Sequence, residues 1–211
     1  MTLSAVISIR SFIRNSSRQF KLFSILLLLT VVIEIFAILW KLDLHDTCWW
    51  SYDKTNLWIY NAFLIIRFLF SIIFLYFTIE IPFWKKTIAW SIFPIVILFM
   101  VNYFFIQTPF KVNSYTVILL NIILIFSSLI YFKQVLDKDE TTRLHLRSEI
   151  WITLGIFIYY TGTLPFFILF NDLITYGGTM INSFLFINDT LNIIMYSLYL
   201  IGFLCLNQTQ K

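Results

Sequence analysis

Six long apolar stretches constrain this chain more than any other feature: Phe20–Trp40, Leu57–Thr78, Ile88–Ile106, Tyr115–Phe132, Ile150–Phe170 and Ser183–Leu206. Crossing the hydrocarbon of a bilayer takes about 20 apolar residues in a helix. A backbone in lipid must also satisfy its own hydrogen bonds, which leaves helices or closed barrels. These runs are too long for strands and lack the period-2 alternation of a membrane barrel. Charge points the same way: only 12% of the residues are charged while 60% are hydrophobic, against about 25% charged in a water-soluble domain. The sequence therefore predicts an all-α polytopic helical bundle, with spans at 20–40, 57–78, 88–106, 115–132, 150–170 and 183–206. Residues 20–206 read as one transmembrane domain, preceded by a segment at 1–19 and followed by a short tail at 207–211.

Lysine and arginine set the orientation. One set of segments carries Arg10, Arg14, Arg18 and Lys21, then Lys85 and Lys86, then Lys133, Lys138, Arg143 and Arg147, and finally Lys211. The alternate connections carry only Lys41, Lys54 and Lys111, so the split is eleven against three. Cations favour the cytoplasmic side, so both termini are expected in the cytoplasm of a cell bounded by an inner membrane. Residues 1–19 place their cations on one helical face, with Ile9, Phe12, Ile13 and Phe20 roughly opposite. Such a face predicts a helix lying flat in the inner interface, the alternative being a short extra span. Trp40, Trp49, Trp50, Tyr52, Trp58 and Tyr60 cluster at the first outer connection. They read as an aromatic belt at headgroup level.

Two ionisable residues interrupt the apolar runs. Glu34 lies in the first span and Arg67 near the middle of the second. Helical side chains lean toward their own N-terminus, so on antiparallel neighbours these two are expected to converge into an intramembrane charge pair. Such a pair either staples two helices in register or takes part in coupling. In the sixth span, Asn188, Asn192, Tyr196 and Tyr199 form one stripe down a helix. Interhelical packing is the ordinary explanation, helped by Gly155 and Gly162 in the span before. The sharper reading is a polar pocket in the outer half, built from Asn171, Asp172, Asn188, Asp189, Asn192, Tyr159 and Tyr196, with Pro165 opening it. Asn61, Asn102 and Asn121 are single amides that fit helix–helix hydrogen bonds. The connection "KQVLDKDETTRLHLRSE" is the largest cytoplasmic feature, and its Lys138, Arg143, His145 and Arg147 form the best docking candidate.

Catalytic signatures are missing from the sequence. It holds no G-x-x-x-x-G-K-[ST] loop, no H-E-x-x-H pair and no G-x-S-x-G elbow. His45 and His145 are expected on opposite faces, so no metal site or cofactor is predicted. Nucleic acid is not an expected partner. The words "WITLGIFIYYTGTLPFFILFND", "LNIIMYSLYLIGFL" and "NLWIYNAFLIIRFLF" resemble a group of small multi-pass proteins common in Bacteroidetes and often encoded beside two-component signalling genes. The resemblance implies an inner-membrane protein, with no established catalytic residues to transfer. Arg67 departs from that group, which tends to be acidic or neutral there. The leading expectation is a non-catalytic sensory or regulatory subunit that couples an outer signal to a membrane or cytoplasmic partner. A small transporter or channel lined by spans one, two, five and six is the first alternative. An effector or accessory protein acting as a homo-oligomer is the second.

Overall fold

The computed structural model describes residues 2–13, 17–42, 56–107, 112–137, 146–169 and 179–209. Among them are seven helices: α1 (Thr2–Ile13), α2 (Arg18–Leu42), α3 (Leu57–Thr78), α4 (Pro82–Val101), α5 (Ser114–Asp137), α6 (Ser148–Ile168) and α7 (Thr179–Thr209). A π-helical turn, Asn102–Ile106, continues α4. Helices α2 to α7 are each long and apolar enough to cross a membrane. The protein is a multi-pass integral membrane protein built as an all-α bundle.

Successive spans run in opposite directions, and their hydrogen bonds fix the register. Asn56 at the start of α3 donates to the carbonyl of Ala37 near the end of α2 (3.4 Å). Asn102 at the end of α4 donates to Thr116 Oγ1 at the start of α5 (2.6 Å). At the opposite end, the backbone N–H of Glu80 donates to Gln134 Oε1 of α5 (2.7 Å). Gln134 also reaches the carbonyl of Thr78 (3.5 Å), one of the orphan acceptors at the end of α3. Pro82 then opens α4 at its first turn, where a missing N–H does no harm. This arrangement gathers Arg18, Lys85, Lys86, Lys133 and Arg147 at one end of the bundle, hereafter the basic rim.

Helix α6 is the central packing element, set against α5 on one side and α7 on the other. Lipid supplies no hydrophobic drive between spans, so close backbone approach has to supply contact instead. Three glycines allow it. A Cβ at Gly155 would come within 2.8 Å of the Tyr199 ring, and one at Gly202 within 2.9 Å of Ile152 and 3.0 Å of the Ser148 carbonyl. Near the basic rim the bundle is filled with aromatic rings. Phe23 stands 5.1 Å from Phe74 and 4.9 Å from Tyr199, and Phe20 stands 6.3 Å from Phe203.

Helix α1 departs from the flat interfacial helix expected of residues 1–19. It packs against both α2 and α7, with Ser4, Ala5 and Ser8 buried. The Ser24 hydroxyl of α2 donates to the carbonyl of Ser8 (3.2 Å), so α1 and α2 form an antiparallel hairpin. Leu3, Val6, Ile9 and Phe12 point outward. The segment is thus amphipathic in the membrane sense: small residues face protein, large apolar ones face lipid, and Arg10 stays near the basic rim. Its 12 residues extend about 18 Å, alongside the part of α2 nearer the basic rim.

The glycine contacts give a graded expectation. Gly202→Ala pushes against backbone at Ser148, whereas Gly162→Ala meets only the mobile end of Leu191 at 2.7 Å. Overpacking that cannot relax costs about 1–3 kcal/mol. Thermal denaturation in mild detergent is expected to show a clear loss for Gly202→Ala and a markedly smaller one for Gly162→Ala.

Candidate functional site

The half of the bundle away from the basic rim is hollow. A cavity of about 950 Å³ lies there between α2, α3, α6 and α7, with Leu3 and Ser4 of α1 on its floor. Its polar groups are Glu34 of α2, Tyr60, Asn61 and Arg67 of α3, Tyr159 of α6, and Asn188, Asp189, Asn192, Tyr196 and Ser197 of α7. Apolar wall comes from residues such as Phe63, Leu64, Val117, Ile193 and Leu200. Polar residues of these four spans therefore line one cavity, to which α5 adds Val117 and α1 adds Leu3 and Ser4.

The two intramembrane charges share that space without pairing. Glu34 accepts a hydrogen bond from the Tyr60 hydroxyl at 3.0 Å. Arg67 donates to the thioether of Met195 at 3.2 Å and stacks over the ring of Tyr159 at 4.4 Å, with Tyr160 at 5.8 Å. Register explains why the expected ion pair does not form. Asn56 lies across from Ala37 and Tyr60 across from Glu34, so Arg67, two turns beyond Tyr60, lies about 10 Å deeper along the axis. A lone charge at the bilayer centre costs about 2.5–3.5 kcal/mol. Stacking on a desolvated aromatic face returns about 2 kcal/mol. The tyrosines thus hold much of the guanidinium's charge in place of the carboxylate.

The α7 stripe divides in two. Tyr199 is buried against Phe23 and over Gly155, in the packed half. Asn188, Asn192 and Tyr196 line the cavity instead. Asn188 Oδ1 accepts from the Tyr159 hydroxyl (3.3 Å), and Asn192 donates back to the Asn188 carbonyl one turn earlier (3.0 Å). Asp189 is exposed at the edge of the cavity. Of the predicted pocket residues, Asn171 and Asp172 lie outside the described residues, as do Lys138, Arg143 and His145 of the docking candidate. Arg147 is described, immediately before α6. Tyr60, read from the sequence as part of the aromatic belt, lines the cavity instead, while Met195 and the α1 floor carried no sequence signal. The i, i+7 spacing of Tyr60 and Arg67 was the available signal for Tyr60.

Asn102 and Asn121 serve packing, as their single placement suggested. Asn102 also donates to Gln107 Oε1 (3.0 Å), which clasps the π-helical turn to the start of α5. Asn121 of α5 donates to Thr163 Oγ1 of α6 (3.2 Å). Among the described residues no cluster of His, Cys, Asp and Glu could hold a metal ion. No family model matches the chain, and no curated protein or solved structure does. The site is accordingly read from its own geometry.

Because Glu34 and Arg67 have separate partners, their substitutions are expected to add. In a double-mutant cycle of Glu34→Gln and Arg67→Gln, followed by thermal denaturation of ligand-free protein, the coupling should stay below about 0.5 kcal/mol. A coupling well above about 1 kcal/mol would mean that the two groups meet directly.

Proposed function

We infer that this is a non-catalytic membrane subunit whose cavity receives a small-molecule signal and whose basic rim faces a cytoplasmic partner. One observation carries the reading: the cavity is closed on the basic side. Phe23, Phe74 and Phe203 have no exposed surface, and their rings fill the bundle beneath Arg67. A molecule that enters the hollow half meets a charged, aromatic floor and no continuing path. Concave sites of about 300–1,000 Å³ with a few convergent polar groups are the usual form of small-molecule sites, and this cavity falls in that range. The polar groups of spans one, two, five and six also suit a carrier. The aromatic layer is what favours reception over passage, since a carrier needs those rings to part.

On this reading α7 is the element that links the two ends. It brings Asn188 and Tyr196 to the cavity and Phe203 to the aromatic layer, and it packs on α6, which begins beside Arg147. A ligand that shifts Tyr196 would move the same helix at the basic rim, where Gly202 meets Ser148 at the start of α6.

Reconstituted proteoliposomes test the reading against its rival. The wild-type protein is expected to hold ion and small-solute gradients as well as protein-free vesicles do. Purification from native membrane in mild detergent should retain a stoichiometric cytoplasmic protein, lost when residues 138–147 are scrambled. Saturable flux abolished by Arg67→Gln would overturn the reading in favour of transport.

A further inference from the structure

The cavity of the proposed function also has a side entrance, and its charges select what can enter. Helix α1 contacts both α2 and α7, so near the basic rim it fills the seam between them. Its Leu3 and Ser4 line the cavity floor. Toward the outer half Thr30 and Glu34 of α2 and Asn192 and Ile193 of α7 line the cavity. Ile193 is exposed, and α2 and α7 scarcely touch each other directly. That seam therefore opens toward the bilayer rather than only toward water.

Inside stand one cation and one anion at different depths. Arg67 has five N–H donors, and among the described residues no carboxylate forms an ion pair with it; it meets the thioether of Met195, the rings of Tyr159 and Tyr160 and the Tyr160 hydroxyl. Glu34 holds a single tyrosine hydroxyl and keeps acceptor capacity to spare. Both are partly exposed and line the cavity. A simple anion would answer Arg67 and be repelled by Glu34, and a simple cation would do the reverse. A headgroup that carries both charges answers both. The two residues stand at different depths on antiparallel neighbours, and their side chains lean toward each other. Opposite charges placed so in one cavity suit an ammonium and an anion joined by a short linker, with a hydrogen bond at each end. Most of the wall is apolar, as at Phe63, Leu64 and Leu200, and a small water-soluble zwitterion would leave it bare.

We propose that the cavity binds a zwitterionic amphiphile, with its phosphate or carboxylate on Arg67, its ammonium on Glu34 and its apolar tail leaving through the seam between α2 and α7. This rests on the cavity being the ligand site proposed above. The tail and the open seam make the bilayer the source of the ligand.

Delipidated full-length protein in mild detergent, titrated with single-chain probes and read by native mass spectrometry, tests the idea. Lysophosphatidylethanolamine carries both charges, and lysophosphatidylglycerol of the same chain length carries only the anion. The wild type is expected to prefer the first by about tenfold. Glu34→Gln should erase the preference by weakening the ethanolamine probe alone, and Arg67→Gln should weaken both probes. An unchanged preference in Glu34→Gln, or a wild type that favours the glycerol probe, would overturn the proposal; so would free leucine binding as tightly as the ethanolamine probe. Ser197→Trp, which intrudes into the cavity from α7, separates this failure from that of the underlying reading. If Ser197→Trp blocks every probe but the wild type shows no headgroup preference, the cavity is a ligand site and the zwitterion assignment falls. If Ser197→Trp blocks none, the cavity is not the site and both fall. Should Arg67→Gln prove unstable, Glu34→Gln and Ser197→Trp decide the matter without it.

Discussion

A guanidinium halfway through a bilayer must be solvated by protein, and much of this structure follows from that requirement. Arg67 cannot reach water through the basic rim, because Phe23, Phe74 and Phe203 fill the space beneath it. It is held instead by the ring of Tyr159 and the thioether of Met195. Those partners sit on α6 and α7, so satisfying one residue of α3 ties it to the helix pair across the cavity. Arg67 and Tyr159 together line the hollow part of the bundle.

Two kinds of contact divide the bundle into a packed half and an open half. Near the basic rim, glycines bring backbones together: Gly202 touches the Ser148 carbonyl region, and Gly155 seats the Tyr199 ring. Large rings then fill what the backbones leave. In the other half, tyrosines and asparagines stand among the phenylalanines on the inward faces. Polar groups in a membrane must be paired, which spaces helices at hydrogen-bond distances and discourages tight interlocking. Helix α1 sharpens the asymmetry. It packs between α2 and α7 on the side of the basic rim, where these two scarcely touch each other directly.

Much of the fold was legible in the residues. The six apolar runs match the six spans, although α4 begins at Pro82 instead of Ile88 and α5 continues to Asp137 beyond Phe132. Both extensions carry lysines, Lys85, Lys86 and Lys133, whose long stems let the charge stay at the membrane border while the backbone remains helical. Lys85 shows the pattern, with its ammonium 5.0 Å from the Tyr76 ring. Asn121 and Asn102 were readable as interhelical donors because a lone amide in lipid has few other uses. The Glu34–Arg67 pairing was misleading. Charge complementarity and side-chain lean suggested it, but a register set by Ala37 and Asn56 placed Tyr60 in front of Glu34. Register depends on the packing of two whole helices, which no pair of residues reveals.

Composition and charge, taken alone, determined that this chain is a membrane bundle of six spans with a basic end, since apolar length and the scarcity of charge leave a polypeptide no other solvent. They also marked the residues that have to be explained, chief among them Glu34, Arg67 and the Asn/Tyr stripe of α7. Tertiary structure alone decided that the stripe divides between core and cavity, that Arg67 leans on tyrosines, and that α1 folds back against α2 and α7. The physical reason is common to all three. Periodicity along a helix says which residues share a face, but which neighbour that face meets, and at what depth, is set by contacts distant in sequence, between helices whose backbones approach wherever glycine permits.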